Sequence, residues 1–498
     1  LFLRKNATGA FLAVIAGSGL TLLNVIFMVR EVTHNPAKLS FASDLAWIPY
    51  PPIHFHVGLD GLSLWLVFAT ALISLVAIAS AHKLADDPAK ADKAALFYAW
   101  LLLLEAAIIG VFTAQDLFLF YVFFELTLLP TLFLMGQWGS DRDPAKNIAS
   151  TVQFFIYTFA ASILMLGGII YLFLKSGTFD YRNIMAQVAA GSFRLSPAEQ
   201  MPLFLVFFFA FAVKTPLFPF HAWQANAYST APSALGIVMA GLLGKLGTYG
   251  LLRLCLPLFP NAAREAAYWI NGLAIIAIIY GGLVALVQPN MKRLLAFSSL
   301  SHLGFIVLGI FTFNHYGLDG ASYLMVCHAF TTAALFLLAG YLEERKGSSE
   351  IAEFGGIATK APWLATCFLV CTLASLGLPL LNNFVGEFLI LQGAAFYSFP
   401  YAAGAAVGVI LSACYLLWMY QRTFLGPLAA EAVADLNGRE LFTLAPLLLI
   451  IVYMGIASGN FLPAQSAVNQ SILKQSKMNV EFKVRNEANS KAEAVNGN

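Results

Sequence analysis

The stretch FFFAFAVKTPLFPFHAW (207–223) places a lysine, Lys214, inside an apolar run and follows it with Pro216 and Pro219. The apolar span around it, 202–230, is longer than one simple membrane crossing needs, since about 20 helical residues traverse a hydrocarbon core of about 30 Å. A proline removes one helical hydrogen bond and clashes with the preceding turn. In lipid, an opened backbone is tolerated only where protein or water satisfies it. The stretch therefore reads as a helix broken at membrane depth beside a buried ammonium. LPLLNNFVGEFLIL (378–391) repeats the arrangement: Gly377, Pro379 and Asn382-Asn383 interrupt the span 361–398 just ahead of Glu387.

The rest of the chain fits that reading. Hydrophobic residues make up 59% of it and charged residues 11%, where a soluble chain is about half apolar and a quarter charged. The apolar residues come in blocks of roughly twenty, which in lipid must be helices. The short alternating segments of a membrane β-barrel are absent from the sequence. Thirteen spans result: 9–30, 62–82, 94–113, 115–138, 148–175, 202–230, 233–254, 267–288, 292–313, 317–341, 361–398, 403–425 and 441–458. Residues 94–254 and 267–425 each hold five spans, and the fourth of each is the broken one. Paired interruptions of this kind mark inverted-repeat transporters, with the ion path at the breaks. The expected fold is all-α, a polytopic membrane helix bundle with two inverted five-helix repeats. Residues 1–93 precede the repeats, 441–458 form a final helix, and 459–498 are expected to be a flexible polar tail.

Loop cations set the orientation. One side carries Arg4, Lys5, Lys83, Lys90, Lys93, Arg142, Lys146, Lys292, Arg293, Arg345, Lys346, Lys360, Arg422 and Arg439, fourteen in all. The other carries seven, Arg30, Lys38, Lys175, Arg182, Arg194, Arg253 and Arg264. The first side is expected to be cytoplasmic and the C-terminus to lie outside a bacterial inner membrane. Leu1–Leu3 read as the end of an apolar run, so a first helix is expected ahead of this sequence.

Charges at membrane depth cost about 3 kcal/mol each on insertion scales. Glu105, Glu125, Lys214, Lys245 and Glu387 all lie inside apolar spans, as do His302 and His328. The plainer reading of each is a polar clamp between helices, and for Glu105 the two readings balance. As a set in successive helices they suit a proton path. Burial and pairing bring Lys and Glu toward ionisation near neutrality, and imidazole titrates there unaided. Ser298, Ser299, Ser301, Thr331 and Thr332 place hydroxyls near the histidines, where they could order water. Cys255, Cys327, Cys367, Cys371 and Cys414 mostly sit in apolar segments and read as small fillers. No CxxC, heme or iron–sulfur pattern is present in the sequence, and no metal site is expected. A net charge of +2 without a basic, aromatic-interleaved patch gives no sign of nucleic-acid binding.

Taken together, VGLDGLSLWLV (57–67), AQDLFLFYVFFELTLLPTLFL (114–134), KTPLFPFHAW (214–223), APSALGIVMAGLLGKLGTYGLLR (231–253), LLAFSSLSHLGF (294–305) and LPLLNNFVGEFLIL (378–391) resemble the antiporter-like subunits of respiratory complex I, the proton-pumping NADH:quinone oxidoreductase. The likeness covers essentially the whole chain. It is greatest to the M-type, equivalent to mitochondrial subunit 4, because Glu387 stands where the L- and N-types have lysine. The resemblance implies a proton path through a Glu125–Lys214 pair, a central Lys245, connecting His302 and His328, and an exit at Glu387. It implies no cofactor in this chain, with NADH, FMN, iron–sulfur clusters and quinone in partner subunits, and homologous antiporter-like subunits and lipids as neighbours. HAWQANAYSTAP (221–232) departs from the family pattern, having Asn226 and Tyr228 where many members carry Asp and His, and those two are given no proton role. A multi-subunit sodium/proton antiporter and a proton-pumping membrane hydrogenase are the rival readings. A heme carrier using His302 and His328 is a third, which lacks a second His pair.

Overall fold

The computed structural model describes residues 6–85, 91–139, 143–427 and 433–475. Arg4, Lys5, Lys90 and Arg142 of the charge count, and the tail from 476 onward, lie outside them. The chain opens with α1 (Ala7–His34), a hairpin of β1 (Ser40–Ile48) and β2 (Ile53–Leu59), α2 (Gly61–Ser80) and α3 (Ala91–Thr113). Next come α4 (Leu117–Leu126), α5 (Leu128–Trp138), α6 (Pro144–Ser176) and a short α7 (Tyr181–Ala190). The first broken span is α8 (Pro197–Lys214) with α9 (Ala222–Thr230). One continuous helix then runs through α10 (Ser233–Val238), α11 (Gly244–Gly250) and α12 (Leu256–Leu258), linked by π-helical turns at Met239–Leu243 and Leu251–Cys255. After α13 (Pro260–Leu286), α14 (Met291–Ile310) and α15 (His315–Lys346), the second broken span is α16 (Pro362–Ser375) with α17 (Asn382–Tyr397). The described chain ends with α18 (Phe399–Phe424), α19 (Gly438–Ile456) and α20 (Leu462–Gln475).

Eleven helical stretches among the described residues are long and apolar enough to cross a membrane. The two broken spans complete the thirteen read from the sequence. The 233–258 helix, α14 and α15 are almost wholly buried and form the axis of the bundle. Helices α1, α6, α13, α18 and α19 are mostly unburied on one side and carry Phe27, Leu174 and Phe442 outward. An apolar rim around a core that holds the polar groups is the arrangement lipid demands.

Three features were not expected from the sequence. The loop between α1 and α2 folds as an antiparallel hairpin that pairs Asp44 with His56 and Leu45 with Phe55. The hairpin is fastened by His56 Nδ1 to Asp180 Oδ2 at 2.5 Å. The polar tail begins instead with an ordered helix, α20. Ala464, Val468 and Ile472, one turn apart, are buried, and that single apolar stripe was hidden by the polar residues between them. Finally, Arg253 is not a loop cation. It is buried and donates to Asp60, with Arg182 3.9 Å from the same carboxylate. Asp60 also caps α2, accepting from Leu62 and Ser63 N–H at 3.2 and 3.1 Å.

The Asp60–Arg253 pair joins α2 to the helix that carries Lys245. Removing one partner of such a pair strands the other charge and costs about 3–5 kcal/mol, whereas replacing both by apolar groups is often neutral. Asp60→Ala is therefore expected to lower the amount and thermal stability of assembled protein on native gels, and Asp60→Leu/Arg253→Met to recover most of both.

Candidate functional site

Each break satisfies its backbone internally. At the first, the α8 helix closes with Thr215 N–H on Phe211 O and Leu217 N–H on Ala212 O, both at 2.8 Å. The Trp223 indole then donates to Val213 O at 3.0 Å. Lys214, the last residue of α8, is buried at the lip of this break. Its Nζ donates to Thr127 Oγ1 at 2.8 Å, and Thr127 in turn donates to Phe124 O at 2.7 Å. The Phe124 ring lies under the ammonium at 5.0 Å, a favourable place for a cation.

The expected Glu125–Lys214 contact is not made directly. Glu125 is half-exposed on α4, against the Ser162 hydroxyl of α6, and feels Lys214 only through space. The reason is the joint at Thr127 between α4 and α5. It turns the hydroxyl, two residues past Glu125, toward α8.

Lys245 lies two residues beyond the first π segment and is fully buried. Its Nζ donates to Ala240 O at 2.9 Å, and no acid pairs with it among the described residues. Single π turns inside α-helices occur often at functional sites, and here two of them bracket the lysine. Gly247 makes the connection back to the first break, because a Cβ there would collide with Thr215 Oγ1 and the Phe211 carbonyl. The Lys245 helix thus packs directly on the turn that follows Lys214.

Beyond Lys245, His328 on α15 lies within its electrostatic reach and within that of His302. The two imidazoles stand 5.2 Å apart, centroid to centroid. His302 Nδ1 is 3.2 Å from Glu387 Oε1, and His302 Nε2 is 3.5 Å from Ser375 Oγ. Three of the five hydroxyls expected near the histidines are engaged elsewhere, Ser301 with Ile278 O, Ser298 with Tyr415, and Thr331 with Asn382 and Asn383, while Ser299 Oγ is buried without a partner among the described residues. Ser375, at the end of α16, takes that place. The sequence gave no sign of it, because the second break is what folds Ser375 back onto α14.

The second break is shaped around Glu387. Gly377 adopts φ +75° and Leu380 the same value, a left-handed backbone that costs a bulky residue dearly. Asn382 Nδ2 donates to Cys327 O at 2.9 Å and so ties α17 to α15. Gly377 faces the Glu387 carboxylate, and a Cβ there would overlap Oε2. Lys245, His328, His302 and Glu387 thus form a buried series that ends at the second break, and Lys214 is buried at the first, against whose turn the Lys245 helix packs. Glu105 is buried on α3 against Ser18 of α1, away from this succession.

Residues 114–413 match the "NADH:quinone oxidoreductase/Mrp antiporter, TM" family, and the chain belongs to it. Among its relatives is NADH-quinone oxidoreductase subunit M of Rickettsia prowazekii (strain Madrid E), 37% identical over 468 residues, 93% of each chain. A chain of respiratory complex I from Thermus thermophilus with bound NADH superposes with a TM-score of 0.85 at 32% identity, over 95% of this chain and 98% of that one. The Mrp complex of Dietzia sp. DQ12-45-1b shares the fold, with a TM-score of 0.82 at 22% identity over 95% and 94% of the two chains.

Gly377→Ala combines a left-handed alanine, roughly 1–2 kcal/mol of backbone strain, with a methyl pressed on Glu387. It is expected to assemble in reduced amount and to pump protons at least threefold more slowly per assembled complex. Fluorescence-quench measurement of pumping, normalised to assembled protein, checks this.

Proposed function

We propose that this chain is a proton-translocating membrane-arm subunit of an NADH:quinone oxidoreductase, moving protons through Lys214, Lys245, His328, His302 and Glu387. The observation that carries the reading is the buried series Lys245, His328, His302 and Glu387, with Lys214 buried at the first of two broken helices. Insertion costs of about 3 kcal/mol per charge make five such groups in sequence poor material for mere clamps. The two five-helix repeats, 94–254 and 267–425, supply one broken helix each. NADH, FMN, iron–sulfur clusters and quinone belong to partner subunits in this reading, and the driving energy arrives from them through the neighbouring antiporter-like subunits.

Lys214 is the entry group. When its ammonium approaches Glu125 the charged form is favoured; when it swings to Thr127 and the Phe124 face it loses that partner, and its proton becomes easier to pass on. The geometry has Lys214 in the second position. The proton then passes to Lys245, whose acceptor among the described residues is a backbone carbonyl, and by way of His328 and His302 to Glu387. Moving one charge against 100 mV costs about 2.3 kcal/mol.

A subunit of a multi-subunit sodium/proton antiporter is the second reading, favoured only by the shared fold of the Mrp complex. The Rickettsia relative, covered over nearly its whole length, favours the first. Copurification decides: hydrophilic subunits bearing flavin and iron–sulfur clusters support the first, and their replacement by further antiporter subunits supports the second.

Lys214→Ala and Glu125→Ala are each expected to assemble and to lose most of NADH-driven pumping and of coupled turnover. Glu387→Gln should do the same, while Glu387→Asp or →Lys retains part of the activity. Near-normal pumping in all of them, measured by dye quenching in inverted vesicles, contradicts the path.

The loop-charge bias and an odd number of crossings support a C-terminus on the outer side. Protease should digest a tag placed after Asn498 in right-side-out vesicles and spare it in inside-out ones. The reverse pattern contradicts the orientation.

A further inference from the structure

On the face that carries the hairpin, α20 lies across the start of α15 and covers a further acid, Asp319, only 8% exposed. No part of the path above uses it. Asp319 Oδ2 accepts from Ser466 Oγ at 2.7 Å, and Oδ1 accepts from Asn469 Nδ2 at 2.8 Å. The same amide lies 2.9 Å from Ser322 Oγ, and Gln465 Nε2 donates to Ser322 O at 3.0 Å. Two further acceptors in this knot, Gln465 Oε1 and Asn469 Oδ1, are buried without a protein donor. The knot is therefore a buried polar site under a single amphipathic helix, one turn inside the end of α15.

The helix links this site to the centre. Asp319, Tyr323 and Cys327 stand at i, i+4 and i+8, which places them on one face of α15. The Tyr323 hydroxyl donates to Met454 O at 2.6 Å, so that face looks toward α19. Cys327 offers its carbonyl to Asn382 at the second break and lies within electrostatic reach of Glu387. One face of α15 thus runs from the acid at the end of the central succession to an acid at the hairpin face.

We propose that Asp319 is the outlet acid of this chain: it receives protons passed from Glu387 along the Cys327–Tyr323 face of α15 and releases them beneath α20. Ser466 and Asn469 hold its carboxylate for the exchange. In each cycle an O–H bond forms on a carboxylate oxygen as one on the inner water or hydroxyl breaks. That O–H bond then breaks as the proton leaves to outer water, and no electrons are transferred. The inference rests on Glu387 being a proton carrier.

A carboxylate that only fastened α20 to α15 would tolerate asparagine. The amide of Asp319→Asn can still accept from Asn469 through its oxygen and donate to Ser466 through its nitrogen, but it cannot carry a proton. The test uses the assembled, reconstituted complex with Val468→Cys as a reporter, since Val468 lies on the buried face of α20. Asp319→Asn is expected to cut protons translocated per NADH at least twofold while the reporter stays protected from a membrane-impermeant maleimide, and Asp319→Glu to restore most of the yield. Wild-type yield in Asp319→Asn overturns the proposal. So does a loss accompanied by maleimide labelling, which marks a clamp. Glu387→Gln measured in parallel separates the two layers: normal pumping there removes the path and the outlet together, whereas normal pumping in Asp319→Asn alone removes only the outlet.

Discussion

Hydrocarbon offers no hydrogen bonds, so a backbone opened at membrane depth must be closed by the protein itself. That constraint shapes both breaks. At the first, Phe211 and Ala212 carbonyls take up the N–H groups of Thr215 and Leu217. At the second, Leu378 N–H returns to Leu373 O at 3.0 Å and Asn382 bridges to Cys327. Packing this close needs small residues opposite the turns. Gly247 admits the Thr215 turn and Gly377 admits the Glu387 carboxylate. The polar groups Lys214 and Glu387 sit beside the two closed turns.

The same dielectric cost divides the ionisable residues into two populations. Near the ends of the bundle, charges are paired: Asp60 with Arg253, Lys292 with Glu343, and Arg345 with Glu440 at 2.5 Å. These pairs tie helices together and have little reason to change protonation. At the centre, Lys214 and Lys245 are held by a hydroxyl and a carbonyl. Neutral acceptors stabilise an ammonium less than a carboxylate does, so a modest nearby change can move the proton. Structural pairs at the rim surround cations at the axis that are held only by neutral acceptors.

The class of protein and the position of nearly every span were legible in the sequence, because run length and the cost of a buried charge are local properties. Lys214, Lys245, His302, His328 and Glu387 stood out for the same reason. The hairpin at 40–59 escaped notice because a search for apolar blocks passes over short alternating strands. The helix α20 escaped because its buried apolar positions, Ala464, Val468 and Ile472, are interleaved with polar residues, Gln465 and Asn469 buried among them.

The sequence by itself determined that this is a multi-pass membrane helix bundle, where its helices break, and which side chains would be costly enough inside it to require a use. Only the tertiary structure decided who meets whom. Lys214 finds Thr127 across 87 residues, Asp60 finds Arg253 across 193, and Asp319 finds Asn469 across 150. Ser375 rather than Ser301 reaches His302 for the same reason. A side chain's transfer cost follows from its own chemistry and immediate neighbours, whereas its hydrogen-bond partner depends on how distant helices pack, and that packing is settled only when the whole bundle closes.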